Sequence, residues 1–314
     1  GAGRGGNTKT TDWVPFTVGT GGTVSPPTDP PSGVVTDATW NMGGKVAKAA
    51  GRIYFEMPGN AKWKGPWNGY VCSGTVVTDS ELGRSVIITA AHCVYDDVNQ
   101  AFARNVLFIP QQQDTTGTRT DLNCNNDPIG CWAPAFGVVD LDWTTRTFPD
   151  NIPWDFAYYV VDDSGAHSGT GTGGALDAAV SPLGIQFGVP ATDPGARTDA
   201  IGYSYSQDPL LRYCSEDLGI ETRYNDLWLA NCDLSGGSSG GPWQQGSNDG
   251  DGPIISVNSW GYTNQSGMGG PVLNLEACGL FGQAKQAAKS LGSEPDGNAG
   301  LISDVACLTT TTTP

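Results

Sequence analysis

His92, Asp155 and Ser239 are the three side chains whose types, taken together, make a serine hydroxyl nucleophilic. A serine oxygen attacks a carbonyl when an imidazole takes its proton, and a buried carboxylate holds that imidazole in one tautomer and stabilises its charged form. His92 closes the apolar run "VIITAAHCV", with Cys93 beside it. Asp155, in "PWDFAYYVV", lies between Trp154 and Phe156, where a carboxylate is costly unless paired. Its competitors are Asp140 and Asp142 of "VVDLDW", and Asp162 and Asp163 at a strand end. Ser239 sits in "DLSGGSSGGPW", residues 233–243. Glycines there permit the dihedrals that turn two backbone N–H groups toward one point, and the donors would be those of Gly237 and Ser239. The chemistry is acyl transfer through a covalent intermediate.

Three other readings of that loop fail on its neighbours. A flexible Gly/Ser linker is seldom followed at once by Pro-Trp and an apolar strand, and Cys232 ties the entrance. A phosphate loop wants a following lysine or a helix start, which "GPWQQ" lacks. The stretch 237–241 does match the G-x-S-x-G elbow, but that elbow requires a histidine after the serine, and the chain has only His92 and His167. His167, in a Gly/Ser stretch, reads as a solvated loop histidine.

The elements that must position these groups are strands. "GRIYFEM", "SVIITAA", "NVLFIP", "FGVVDLDW" and "FAYYVV" alternate with polar turn clusters. After "DDSGAHSGTGTGG" (162–174), a second set follows: "GIQFGVP", "TDAIGYSY", "LWLANC", "GPWQQ" and "PIISVNSWGY". The expected division is an extended Gly/Thr/Pro-rich segment over 1–44, a first β unit over 45–165 and a second over 166–275. A C-terminal helix with a disulfide-tied extension takes 276–308, and a Thr-rich tail 309–314. Trp13, Val14 and Phe16 are the anchors of the first segment, and Leu275, Leu280, Phe281, Ala284 and Ala288 recur at helical spacing.

The eight cysteines form an even set without a CxxC pair and with little histidine nearby to complete a zinc site. Four disulfides in an oxidising compartment are expected, and neither metal nor organic cofactor. A Cys72–Cys93 bridge would pin the histidine loop to the neighbouring strand. Proximity along the chain pairs Cys124 with Cys131, Cys214 with Cys232 and Cys278 with Cys307. A formal charge of −16, with no lysine between Lys64 and Lys285, disfavours nucleic acid. No apolar stretch approaches a membrane span. The expectation is a secreted, extracellular, processed monomer acting on protein or peptide substrates. Asn264-Gln265-Ser266 is a glycosylation sequon.

The order His92, Asp155, Ser239 and the segments "CSGTVV", "TAAHC", "WDFAYYVV", "GGSSGGPW" and "NSWGY" resemble the trypsin/chymotrypsin-like serine protease superfamily over residues 50 to 290. The resemblance implies an all-β fold of two six-stranded antiparallel β-barrels with a C-terminal helix, and a serine endopeptidase with its site between the barrels. It makes Ser259-Trp260-Gly261 the wall of the specificity pocket, with Ser259 and Gly261 backbone groups pairing with an extended substrate. Asp233 stands six residues before Ser239, the separation of trypsin's pocket-floor aspartate, which leaves two readings open: a specificity residue that favours Arg or Lys, or a carboxylate that satisfies local backbone donors. Leu234 lies beside it and Asn258 leads into the wall.

Two departures matter. Trypsin-like enzymes carry Asp immediately before the nucleophile, paired with a new N-terminal amine, whereas here that residue is Ser238. This brings the chain closest to the glutamyl-endopeptidase-like branch of bacteria and fungi, yet the histidine which that branch uses before Trp-Gly is replaced by Asn258 and Ser259. The other reading of the whole is a silent homologue serving as a secreted binding or adhesion protein; a complete triad argues against it.

Overall fold

The computed structural model describes residues 16–17, 32–118, 121, 123–192, 194–246, 249–290 and 299–309. Trp13, Val14 and the Thr-rich tail from 310 onward lie outside the described residues. The chain is mostly β with a few helices. A seven-stranded sheet runs Ala299–Ser303, Phe136–Asp140, Ala157–Asp162, Arg84–Thr89, Trp67–Val77, Ala50–Pro58, Arg104–Pro110. A five-stranded sheet runs Ile254–Val257, Pro242–Gln245, Arg197–Gly202, Arg212–Asp217, Val35–Thr39. A second five-stranded sheet runs Phe16–Thr17, Trp260–Gly261, Met268–Gly270, Asp226–Leu229, Gly219–Glu221. Strands 95–96 and 101–102 make a separate ribbon. These sheets are open in their hydrogen bonding, so the expected pair of closed six-stranded barrels is not what the strand pairing draws. Parallel pairs occur twice among the described strands, 299–303 on 136–140 and 16–17 on 260–261; the rest are antiparallel.

Arg84–Thr89 is buried at every residue from Ser85 to Thr89 instead of alternating, because both of its faces are covered. The helix Leu275–Ser290 packs on the seven-stranded sheet, where Phe281 stacks against Tyr158 with ring centroids 5.4 Å apart and the Tyr158 hydroxyl donates to Ala277 O at 3.0 Å. Leu280 and Ala284 of its apolar stripe are fully buried, while Leu275 at its first turn is 38% exposed. Bonded sulfurs join Cys278 to Cys307, so the chain after the helix returns to lay 299–303 on the sheet's edge.

Two segments depart from a strand reading. "FGVVDLDW" stops being a strand at Asp140, whose Oδ1 accepts from Asp142 N at 2.8 Å and caps the short helix Leu141–Thr145. "GIQFGVP" contributes a single bridge, Ile185 to Ile254. His167 is not a solvated loop residue: it is half-buried, its Nδ1 accepts from Ala133 N at 3.1 Å, its Nε2 lies 2.6 Å from Asp162 O, and its ring stacks on Trp132 at 4.6 Å. Those contacts call for the tautomer with the proton on Nε2.

Candidate functional site

Strand register brings the histidine and the aspartate together. Thr89 pairs with Ala157 in the antiparallel ladder, so the chain just after Thr89 and just before Ala157 emerges at the same end. There the turn Ala91–Cys93 carries His92, and Asp155 follows the turn Ile152–Trp154. Both are 1% exposed. His92 Nδ1 lies 2.7 Å from Asp155 Oδ2, His92 N donates to Asp155 Oδ1 at 2.9 Å, and Ser259 Oγ donates to Asp155 Oδ2 at 2.5 Å. A carboxylate with three donors is compensated for its burial, and none of the competitors has this arrangement around a histidine.

Asp140 instead caps a helix, and its carboxyl is pushed up to about 6, chiefly by burial, with Glu276, Asp142 and Asp304 adding repulsion and the Asp142 N–H opposing. A carboxyl raised on folding favours its neutral form. It therefore contributes stability below the unfolded value, about 3.9, that is lost as pH rises through about 6. Asp140→Asn keeps the capping oxygen and stays neutral. We expect its thermal midpoint to exceed the parent's by a few degrees at pH 8 and to match it at pH 4, measured by calorimetry at both.

Ser239 lies in the turn before Pro242–Gln245 and is fully buried. Its carbonyl accepts from Ser73 N at 2.7 Å and lies 3.8 Å from Cys93 Sγ, which seats the loop on the strand and turn that carry the histidine. Its Oγ is buried and has no hydrogen-bond partner among the described residues. The sulfurs of Cys72 and Cys93 are bonded, as are those of Cys124 and Cys131 and of Cys214 and Cys232. Replacing Cys72 and Cys93 together by alanine should lower stability by about 2–5 kcal/mol in denaturant unfolding, the usual effect of removing a native bridge.

The two carbonyls that precede the expected donors are both engaged. Gly236 O accepts from Tyr205 N at 2.8 Å; Ser238 O accepts from Gly241 N and Asn258 Nδ2, each at 2.9 Å. In a planar trans peptide the next N–H points the opposite way, so the N–H groups of Gly237 and Ser239 turn away from these anchors. Among the described residues neither donates to another. Gly237 takes φ +97°, a conformation that favours glycine.

Beside this loop lies a cavity of about 240 Å³, lined among others by Asp233, Leu234, Gly261, Gln265 and Met268. Asn258, Ser259 and Trp260 do not line it. Asn258 is fully buried and spends its side chain on Ile201 O, Ser238 O and Trp243 Nε1. Ser259 turns to Asp155, and its N–H goes to Gly269 O. Trp260 donates from Nε1 to Asp226 Oδ2 at 2.7 Å. Burial pushes the Asp226 carboxyl well up, and the Asp155 charge adds to this against the opposing Trp260 bond. The outer edge of Trp260–Gly261 is paired with Phe16–Thr17.

Solved structures share this fold. The protease Anisep from Arthrobacter nicotinovorans superposes with a TM-score of 0.58 at 26% identity, over 76% of this chain and 96% of that one. A thermostable serine protease from an extremophilic microorganism gives 0.57 at 24%, over 77% and 99%. A Glu endopeptidase gives 0.54 at 18%, over 82% and 99%. The fold is that of the trypsin/chymotrypsin-like serine proteases. No protein-family model and no curated protein matches the chain.

Within this serine protease fold, sequence reading missed contributors that carry no motif. Ser73 follows Cys72 in "CSG", and its hydroxyl donates to Gly237 O at 2.9 Å. Arg52 interrupts the apolar "GRIYFEM" and is fully buried; a charge inside such a strand was the available signal. Ser259 was legible as part of Ser-Trp-Gly, although the direction of its hydroxyl was not. Among the described residues no helix is long and apolar enough to cross a membrane.

Proposed function

We propose that this chain is a secreted serine endopeptidase that cleaves peptide bonds through Ser239, His92 and Asp155. The observation that carries the reading is the buried His92–Asp155 pair. With Nδ1–H donated to the carboxylate, the ring's lone pair sits on Nε2, which is the base form needed to take the Ser239 proton. As the hydroxyl oxygen adds to the scissile carbonyl, the proton passes to Nε2, and Asp155 stabilises the imidazolium. The tetrahedral oxyanion is received by the N–H groups of Gly237 and Ser239, which donate to no other described residue. The imidazolium then protonates the leaving amine, and water, activated by the same ring, releases the acyl group. Four disulfides and the acidic composition fit an extracellular site of action.

The pocket speaks to the residue before the cut. Asp233 is the charged residue on its lining, so an acidic side chain meets a like charge, whereas Arg or Lys meets an opposite one. The test is fluorophosphonate labelling followed by a peptide-library cleavage profile. One adduct per chain, located at Ser239, with cuts after Arg or Lys, is expected. A folded sample that takes no adduct favours a binding protein.

A substrate in extended form needs the edge of Trp260–Gly261 on which Phe16–Thr17 lies. A chain lacking residues 1–31, which keeps the strand Val35–Thr39, should show kcat/KM raised several-fold on long peptides. Single-residue ester substrates, which do not use that edge, should be turned over at the parent's rate.

A further inference from the structure

Beneath the nucleophile loop lies a buried ion pair that no catalytic step uses. Arg52, on the strand Ala50–Pro58, pairs through Nη2 with the Asp208 carboxylate; the two side chains are 0% and 1% exposed. Its Nη1 donates to Tyr203 O and, at 3.1 Å, to Gly237 O. The guanidinium also lies over the Tyr203 ring, 5.7 Å from its centroid. Gly237 O takes a second bond from Ser73 Oγ, which in turn accepts from Tyr203 N at 2.8 Å. Two residues along, Tyr205 N holds Gly236 O. One cation thus spans two main-chain segments, 203–205 and 236–237, whose relative placement sets the direction of the Gly237 N–H.

An arginine suits this position because its planar fork offers several fixed donors and its charge persists at every accessible pH. Lysine offers a single mobile ammonium. The fit is close: a Cβ at Gly237 would stand 2.7 Å from Arg52 Nη1. With Ser238 in the place where an aspartate would pair with a terminal amine, the loop is held by internal hydrogen bonds, and Arg52 brings a buried cation to them.

We infer that Arg52, oriented by Asp208, is the positioning residue of the oxyanion loop: by bonding both the Gly237 carbonyl and Tyr203 O it fixes residue 237 against the segment whose Tyr205 N–H anchors Gly236 O, so that the Gly237 N–H faces the reacting oxygen. The inference rests on the endopeptidase reading and says how this chain keeps its loop competent. It assigns Arg52 no contact with substrate.

The test compares the parent protein with Arg52→Lys and Asp208→Asn, each checked for a cooperative thermal transition and unchanged near-UV circular dichroism. Three quantities are measured: kcat and KM on a peptide substrate, affinity for a peptide aldehyde that forms a tetrahedral adduct, and affinity for the cleaved product peptide. Arg52→Lys is expected to lower kcat by about 10²–10³-fold, the scale of losing one oxyanion donor, with KM within about threefold. Aldehyde affinity should fall in step with kcat/KM, and product affinity should not change. Asp208→Asn keeps size and hydrogen bonding but releases the guanidinium from its charge partner, so a smaller fall of the same pattern is expected. Because it is the milder change, it decides the matter if Arg52→Lys does not fold. A folded variant with parental kcat and aldehyde affinity overturns the inference. So does an equal loss of aldehyde and product affinity, which would mark a general collapse of the groove. Failure of the parent itself to take a fluorophosphonate at Ser239 is a separate result: it sinks the endopeptidase reading and this inference with it.

Discussion

Ser239→Ala should lower kcat by about 10⁴–10⁶-fold, leave product-peptide affinity unchanged and abolish fluorophosphonate labelling. Removing the nucleophile of a triad removes the covalent route as a whole, and the residual rate comes from substrate binding and the oxyanion donors. The structure adds a prediction about stability. Ser239 Oγ is buried and makes no hydrogen bond to a described residue, so its deletion breaks no bond in the resting protein and lifts the penalty of a buried hydroxyl. The thermal midpoint of the variant should therefore equal or exceed that of the parent. Single-turnover assays with a burst-capable ester, run beside a thermal melt, check both parts. Activity within tenfold of the parent would move the nucleophile elsewhere in the chain.

Asp155→Asn should reduce kcat by about 10⁴-fold with KM little changed. Asp155 receives His92 Nδ1, His92 N and Ser259 Oγ on its two oxygens. Asparagine keeps one oxygen and presents an NH₂ group in place of the other. An NH₂ facing Nδ1 makes that nitrogen an acceptor, which puts the ring proton on Nε2 and denies the serine its base. Imidazole proton resonances in the NMR spectrum report the tautomer directly: the parent should show a low-field Nδ1 proton and the variant should not. A variant whose kcat stays within tenfold of the parent would show that the carboxylate serves only to seat the turn at His92.

Much of this site was legible in the chain because its chemistry is concentrated in short, unusual segments. A histidine next to a cysteine after an apolar strand, a carboxylate wedged between aromatic residues and a serine amid glycines each conflict with a purely structural account. The assignment of Asp155 over Asp140 could be argued from local sequence, since "PWDF" buries the carboxylate at a strand entry. The proof of pairing is non-local: it follows from the register of 157–162 against 84–89, which turns 63 residues of separation into 2.7 Å.

Side-chain direction was the part not legible. The resemblance set Asn258 and Ser259 beside the pocket by their place in "NSWGY", which does not say where each side chain turns. The fold puts Ser238 O and Ile201 O against Asn258 and Asp155 against Ser259, so both side chains are consumed inside. His167 looked solvated because its neighbours are Gly and Ser. Trp132 and Ala133, 34 and more residues away, cover it.

By itself, then, the sequence determined the kinds of groups available, their order along the chain and the local turns that present them, because those depend on residue type and near-neighbour sterics. Only the tertiary structure decided which carboxylate meets the imidazole, which charge lies under the nucleophile loop, and which segment covers the Trp260–Gly261 edge. Those are contacts between residues far apart in sequence, set by strand register and by the packing of buried polar groups that must all find partners.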